Sequence, residues 1–248
     1  MISTDPVFYA AAIPAVLITG ISKSGFGGIA LLAVPLMALV MSPIEAAAIT
    51  LPLLLMMDIM GVYAWRGQAN WDHLKVLLPG AAVGVAVGGL TAHLVSPDDV
   101  KLFVGIIAVL FCLYQLVPKP TGDGKPHRPR LFSGSIAGAF AGYTSYIAHA
   151  GSPPYHMYII PKGLNKATFA ATGTWFFTVV NGMKLPAYYL AGQLSADILW
   201  QALVLAPLVP FGVYAGLWLN KRIDHQLFYR FIFISVFLIG VKLIWDSV

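Results

Sequence analysis

Ser22-Lys23-Ser24-Gly25-Phe26-Gly27-Gly28 is the stretch whose reading decides the fold. It follows the apolar run 6–21 and leads into Ile29-Ala30-Leu31-Leu32-Ala33-Val34-Pro35. A lysine among apolar residues is costly unless something uses it. Glycine favours helix least of the ordinary residues, so Gly25, Gly27 and Gly28 break the backbone here. A break at membrane depth is tolerated only where it is buried in protein or lines a cavity. The stretch reads as a broken helix carrying a cation, and the rest of the chain as the walls of that cavity.

Composition supports this. Of the 248 residues 58% are hydrophobic and only 10% charged, with mean hydropathy +0.79. A soluble domain carries about 25% charged residues, so the chain lacks the skin a soluble core needs. It reads as an all-α polytopic membrane protein, with the lipid bilayer as its surroundings. The net charge of +5 is no nucleic-acid footprint, because the basic residues sit in short loops between apolar segments, where they set membrane topology. Cys112 is the single cysteine, which leaves no intramolecular disulfide. Met1-Ile2-Ser3-Thr4-Asp5 has no basic region, so the first apolar segment is expected to stay in the mature protein.

Outward from the break, the apolar segments are 6–21, 29–41, 44–65, 74–95, 98–117, 131–149, 154–161, 167–190, 196–219 and 226–246. A crossing needs roughly 20 residues, so 29–41 and 154–161 are short. Each follows a long segment after a break, the second at Gly151-Ser152-Pro153-Pro154. That parallel predicts a repeat. With a shift near 126, Gly25 falls on Gly151, Pro35 on Pro161 and Asp98 on Asp224, while Gly67-Gln68 falls on Gly192-Gln193 at 125. Gly84 and Gly88 fall on Gly212 and Gly216 at 128. The expected organisation is an N-terminal repeat over 1–117, a Pro- and Gly-rich basic linker over 118–130 and a C-terminal repeat over 131–248.

Charge tests how the short segments sit. If each long–short pair is a re-entrant hairpin, eleven of the 15 Lys and Arg fall on one face and two on the other, with Lys23 and Lys184 inside the membrane. If each pair is one broken crossing, the faces divide seven against six outside the membrane. The excess of Lys and Arg in cytoplasmic loops favours the first arrangement; two full crossings per pair have the same parity. The basic face is then cytoplasmic, both termini lie outside, and the halves have opposite orientation. The predicted fold is two inverted structural repeats, each a broken or re-entrant helix pair followed by three transmembrane helices, a recurring plan of secondary transporters.

Several residues carry candidate chemistry. Lys23 reads as an anion contact at the hairpin tip or as a lysine snorkelling to headgroups. The starts of the short helices, at Gly27-Gly28 and at Gly151-Ser152, offer free N–H groups and a partial positive charge. Ser22, Ser24 and Ser152 add hydroxyl donors. Asp58 sits well inside segment 44–65, where an aspartate must be paired or protonated. It reads as a partner of Lys23, a proton relay or a structural hydrogen bond, with Asn181 as its approximate counterpart in the second half. Lys184 reads as snorkelling or as a substrate contact. His149 and His156 flank the second break, as anion or proton groups or as packed residues. Thr50, Thr172, Thr174, Trp175 and Asn181 are candidates to line the cavity. Gly84, Gly88, Gly89, Gly134 and Gly138 read as helix-packing glycines. Trp65, Trp71, Trp200, Trp218 and Trp245 suit the interfacial belt. His and Asp spacing makes no metal-ligand set, no cofactor is implied, and there is no Walker A loop or nucleophile–base constellation. The expected energy source is therefore a gradient.

At these residues the chain resembles the sulfite exporter TauE/SafE family of anion permeases. The resemblance rests on Gly25-Phe26-Gly27-Gly28 leading to Leu31-Leu32-Ala33-Val34-Pro35, then Ala46-Ala47-Ala48-Ile49-Thr50, Gly67-Gln68-Ala69-Asn70-Trp71 and the glycine-rich run 80–89. It continues through Gly138-Ala139-Phe140-Ala141-Gly142, Gly151, Pro161, Ala170-Ala171-Thr172 and Gly192-Gln193. At the second break, His149-Ala150-Gly151-Ser152-Pro153-Pro154-Tyr155-His156 departs from the family's glycine and proline pattern. The resemblance implies transport of sulfite, a sulfonate such as sulfoacetate, or a related small anion across the inner (plasma) membrane, driven by a proton or ion gradient. The expected partners are that inorganic or organosulfur anion and the bilayer, with a homo-oligomer possible and no nucleic acid. A carboxylate permease is the rival within the class; an intramembrane enzyme or scaffold subunit is the rival outside it.

Overall fold

The computed structural model describes residues 5–23, 29–116, 128–220, 234 and 237–247, and among them every regular element is helical. Ser24, Gly25, Gly27 and Gly28 lie outside the described residues, as does most of the linker over 118–130.

Helix α1 (Pro6–Lys23) ends on the lysine. The chain then continues as a 3₁₀ turn, Ile29–Leu32, and the six-residue α2 (Ala33–Ala38). Three long helices follow: α3 (Pro43–Ala64), α4 (Trp71–Thr91) and α5 (Pro97–Leu116). The second half repeats the order. Helix α6 (Leu131–Ala148) stops at His149, whose φ of 54° is the left-handed backbone that ends a helix. The eight-residue α7 (Ser152–Ile159) starts with prolines in its first turn, where a missing N–H costs nothing. Then come α8 (Lys166–Leu190), α9 (Ala196–Leu205) and α10 (Leu208–Asn220). Residues 237–245 are again helical. Each short helix packs back on the long helix before it, α2 on α1 and α7 on α6.

Segment 196–219 was expected to be one helix. It is two, bent by 44°. Pro207 lies at the bend and has no N–H to continue the ladder. By length and apolar composition three described helices (α1, α3 and α4) are able to cross a membrane, and the α9–α10 pair makes a fourth. Large apolar side chains such as Phe132, Leu190 and Phe211 stand exposed, as befits a surface facing lipid.

Glycine sets the packing. Helices α4 and α6 touch backbone to backbone. A Cβ on Gly80 or Gly84 would strike the carbonyl oxygens of Ser135 and Ala139, and one on Gly138 or Gly142 those of Leu77 and Ala81. Gly88 and Gly134 are likewise closed in, against Tyr146 and Val76, whereas Gly89 makes ordinary contact. Helices α1 and α10 cross in the same way, a Cβ on Gly20 meeting the Gly212 backbone at 2.7 Å. Between these crossings α3 and α8 pack on each other. The duplicated Gly67-Gln68 and Gly192-Gln193 occupy duplicated conformations. Both glycines have φ near +70°, at +77° and +69°. Each is followed three residues later by a helix cap, Asn70 before α4 and Ser195 before α9.

These contacts predict opposite outcomes for two Gly→Ala changes. Gly138→Ala forces the α4–α6 crossing apart and should cost about 3 kcal/mol. Gly182, with open space around it, should accept alanine and gain roughly 0.5 kcal/mol by the same helix-propensity argument. Thermal unfolding of the two purified variants in detergent checks this.

Candidate functional site

Where α1 ends and α6 ends, the helices border a cavity of about 90 Å3. That is room for several waters or one small polyatomic anion. Its walls come from both halves: Thr19, Ser22 and Lys23 from α1, Thr50 and Leu54 from α3, Ser145 and His149 from the end of α6. Ser152, Tyr155 and His156 come from α7 and Gly173, Thr174, Phe177 and Asn181 from α8.

Lys23 and Asp58 form a buried ion pair, their side chains 10% and 1% exposed. The second carboxylate oxygen of Asp58 accepts from Asn181 Nδ2 at 2.7 Å. Three helices, α1, α3 and α8, thus meet on one aspartate. Asn181 proves to be its hydrogen-bond partner, not its counterpart. At a shift of 126 the residue that falls on Asp58 is Lys184, and the residue that falls on Lys23 is His149. These two also touch: Lys184 Nζ donates to His149 Nδ1 at 2.6 Å. Each half therefore contributes one pair, 35 residues apart in sequence, joining the end of its first helix to its third, α1 to α3 and α6 to α8.

The second pair is chemically different. His149 Nε2 lies 2.8 Å from the Ala47 carbonyl, which can only accept, so Nε2 carries the proton. Nδ1 is then the bare nitrogen that accepts from Lys184, and the imidazole is neutral. Lys184 is fully buried and also donates to the Ser145 carbonyl at 3.2 Å and hydroxyl at 3.1 Å. All three of its acceptors are neutral. The site thus holds two lysines and one carboxylate, with Lys23 on the carboxylate and Lys184 on neutral acceptors alone.

Further donors stand ready on α7. Ser152 Oγ and Tyr155 OH are buried and make no hydrogen bond among the described residues, although both residues border the cavity. Unpaired buried hydroxyls are costly in a finished core and ordinary in a site that awaits a ligand.

Of the residues expected at the site, Lys23, Ser22, His149, Ser152, Thr50 and Asn181 border the cavity. Asp58 stands behind Lys23. Gly151 contributes closeness instead of a ligand contact: its missing Cβ lets α7 approach the Ala141 carbonyl and Phe177. Thr172 and Trp175 do not line the cavity, contrary to expectation. Thr172 Oγ1 accepts from the Asn70 N–H at 2.9 Å and donates to the Thr168 carbonyl at 2.6 Å. Trp175 packs on Trp71, ring centroids 5.2 Å apart. Both lie on the α4 side of α8, and the 3.6-residue period gives the cavity face to Gly173, Thr174, Phe177 and Asn181. Ser145 and Tyr155 were not singled out as site residues, and Lys184 only as a snorkelling side chain or a substrate contact. For Lys184 the signal was present, since the shift of 126 that joins Gly25 to Gly151 also joins Asp58 to Lys184.

The profile of the family described as sulfite exporter TauE/SafE matches residues 12–243. No curated protein and no solved structure matches the chain. With nearly its whole length covered by that match, the chain belongs to the sulfite exporter TauE/SafE family of membrane transporters.

Proposed function

We propose that this protein is a multi-pass permease of the inner membrane that moves a small sulfur-containing anion, sulfite or an organosulfonate such as sulfoacetate, coupled to an ion gradient. The observation that carries the reading is Lys23 on a cavity of anion size, beside the unpartnered buried hydroxyls of Ser152 and Tyr155. Buried hydroxyls without a partner are costly, and an anion in the cavity would accept from them. Lys23 gives the charge and Ser22, Ser152 and Tyr155 the hydroxyl donors, with Ser24, Gly25, Gly27 and Gly28 expected at the same tip. Family membership supports sulfite as the first anion to test.

The arrangement is that of two inverted repeats over 1–117 and 131–248, with both termini outside. Three features support it: the reciprocal crossings α4–α6 and α1–α10, the paired turns at Gly67 and Gly192, and the two lysine-bearing pairs at one sequence spacing. Rocking of one half against the other would alternate access to a site between the two breaks.

Asp58 supplies the coupling. Its carboxylate holds Lys23 and competes with any anion that arrives. The other ionisable groups of this cluster are Lys184 on α8 and neutral His149 on α6. A proton on Asp58 removes its charge and leaves Lys23 to the anion, so anion and proton bind together.

Two outcomes follow. Lys23→Ala should lower flux of [35S]sulfite into proteoliposomes at least about 100-fold, an amount equal to roughly 2.7 kcal/mol, and should also lower the melting temperature by leaving Asp58 unpaired; full flux contradicts the anion site. Asp58→Asn keeps the bond geometry but takes up no proton. An imposed pH gradient should no longer accelerate its sulfite flux, whereas sulfite exchange at equal pH persists; undiminished acceleration removes Asp58 from coupling.

A further inference from the structure

Lys184 poses a question that the anion site at Lys23 does not answer. It is fully buried, and its ligands are Ser145 O, Ser145 Oγ and His149 Nδ1, all neutral. A lysine buried this deeply, with no carboxylate on it, is unfavourable as a cation and needs a reason to be there. Nor does helix capping require it. The Ser145 carbonyl already accepts the His149 N–H at 3.0 Å, so no orphan acceptor is left there at the end of α6.

Its position is informative. A second, smaller cavity of about 20 Å3 is bordered by Ala47, Tyr146, Tyr188 and Gln193 among others. On α8, Asn181 borders the main cavity and Tyr188, nearly two turns on, borders the second, with Lys184 between them. On α6, Ser145 borders the main cavity and its neighbour Tyr146 the second. His149 borders the main cavity, and its Nε2–H reaches the Ala47 carbonyl at the edge of the second. Lys184 itself lines neither cavity, and its cage, with Ser145 and His149 on the main cavity and the Ala47 carbonyl at the second, stands between the two.

We propose that Lys184 is a second anion ligand, caged in this state, which takes the small oxyanion from Lys23 when the cage opens. The proposal rests on the transport reading above and extends it to the second half of the chain. The two lysines then serve the two faces in turn: Lys23 when the main cavity is open, Lys184 when the second cavity is. His149 and Ser145 hold the idle amine, as Asp58 holds Lys23, and a neutral cage releases it without breaking an ion pair.

The test separates charge from hydrogen bonding. Lys184→Gln keeps an amide donor for Ser145 and loses the charge. Its [35S]sulfite flux in proteoliposomes should fall at least about 100-fold, while the Kd for sulfite binding to the detergent-solubilised protein changes less than about threefold. Full flux overturns the hand-off. An equal loss of binding and flux also overturns it, placing Lys184 in one composite site with Lys23. As a second variant, Lys184→Cys in a Cys112→Ser background should regain flux on aminoethylation with a charged methanethiosulfonate and not with the neutral methyl reagent. Equal effects of the two reagents contradict a role for charge. If the parent protein itself neither binds nor carries sulfite, the transport reading falls and the hand-off with it.

Discussion

A lysine and an aspartate buried against each other hold this fold at its centre. Lys23 ends α1, Asp58 lies in mid-α3, and Asn181 of α8 satisfies the remaining carboxylate oxygen. Removing one partner of such a pair leaves an unbalanced buried charge, worth about 3–5 kcal/mol. The pair therefore fixes where α1 stops relative to α3 and α8, and so where the break of the first half lies. Lys184 adds a second amine within the same helix cluster. The cavity beside the pair combines these polar groups with the apolar side chains of Leu54, Phe169 and Phe177.

Close packing makes this placement possible. Helices that meet through Gly80, Gly84, Gly138 and Gly142 have their backbones in contact, with no long side chains to spare between them. In lipid, where apolar side chains gain little by turning inward, such contacts and hydrogen bonds carry the association. The crossings on either side of the α3–α8 pair leave that pair to carry the polar groups. A transporter that rocks along such smooth crossings needs little side-chain rearrangement outside the centre.

Much of this was legible in the sequence. The helical class, the short helices after each break, and the packing role of the glycines follow from apolar run length and glycine spacing. Lys23, Asp58, His149 and Ser152 stood out because polar residues inside apolar runs are costly. The rest was hidden for identifiable reasons. Thr172 and Trp175 were expected in the cavity because they share α8 with Asn181, and a helix presents several faces; only its packing on α4 and Trp71 decides which one. Asn181 was matched to Asp58 by polarity, whereas the constant shift pairs Asp58 with Lys184, a lysine in place of a carboxylate. Opposite charges at equivalent positions defeat a search for like residues. The bend at Pro207 was missed because apolar composition continues through it.

The central claim is that a small oxyanion occupies the cavity between the two breaks. Selenite is a heavier analogue of sulfite, and its selenium can be located by anomalous scattering in crystals of the protein. The account predicts a single selenium peak inside the main cavity, in contact with Lys23 and the hydroxyls of Ser152 and Tyr155. An empty cavity at selenite concentrations that inhibit sulfite flux, with selenium only at the surface, would contradict it.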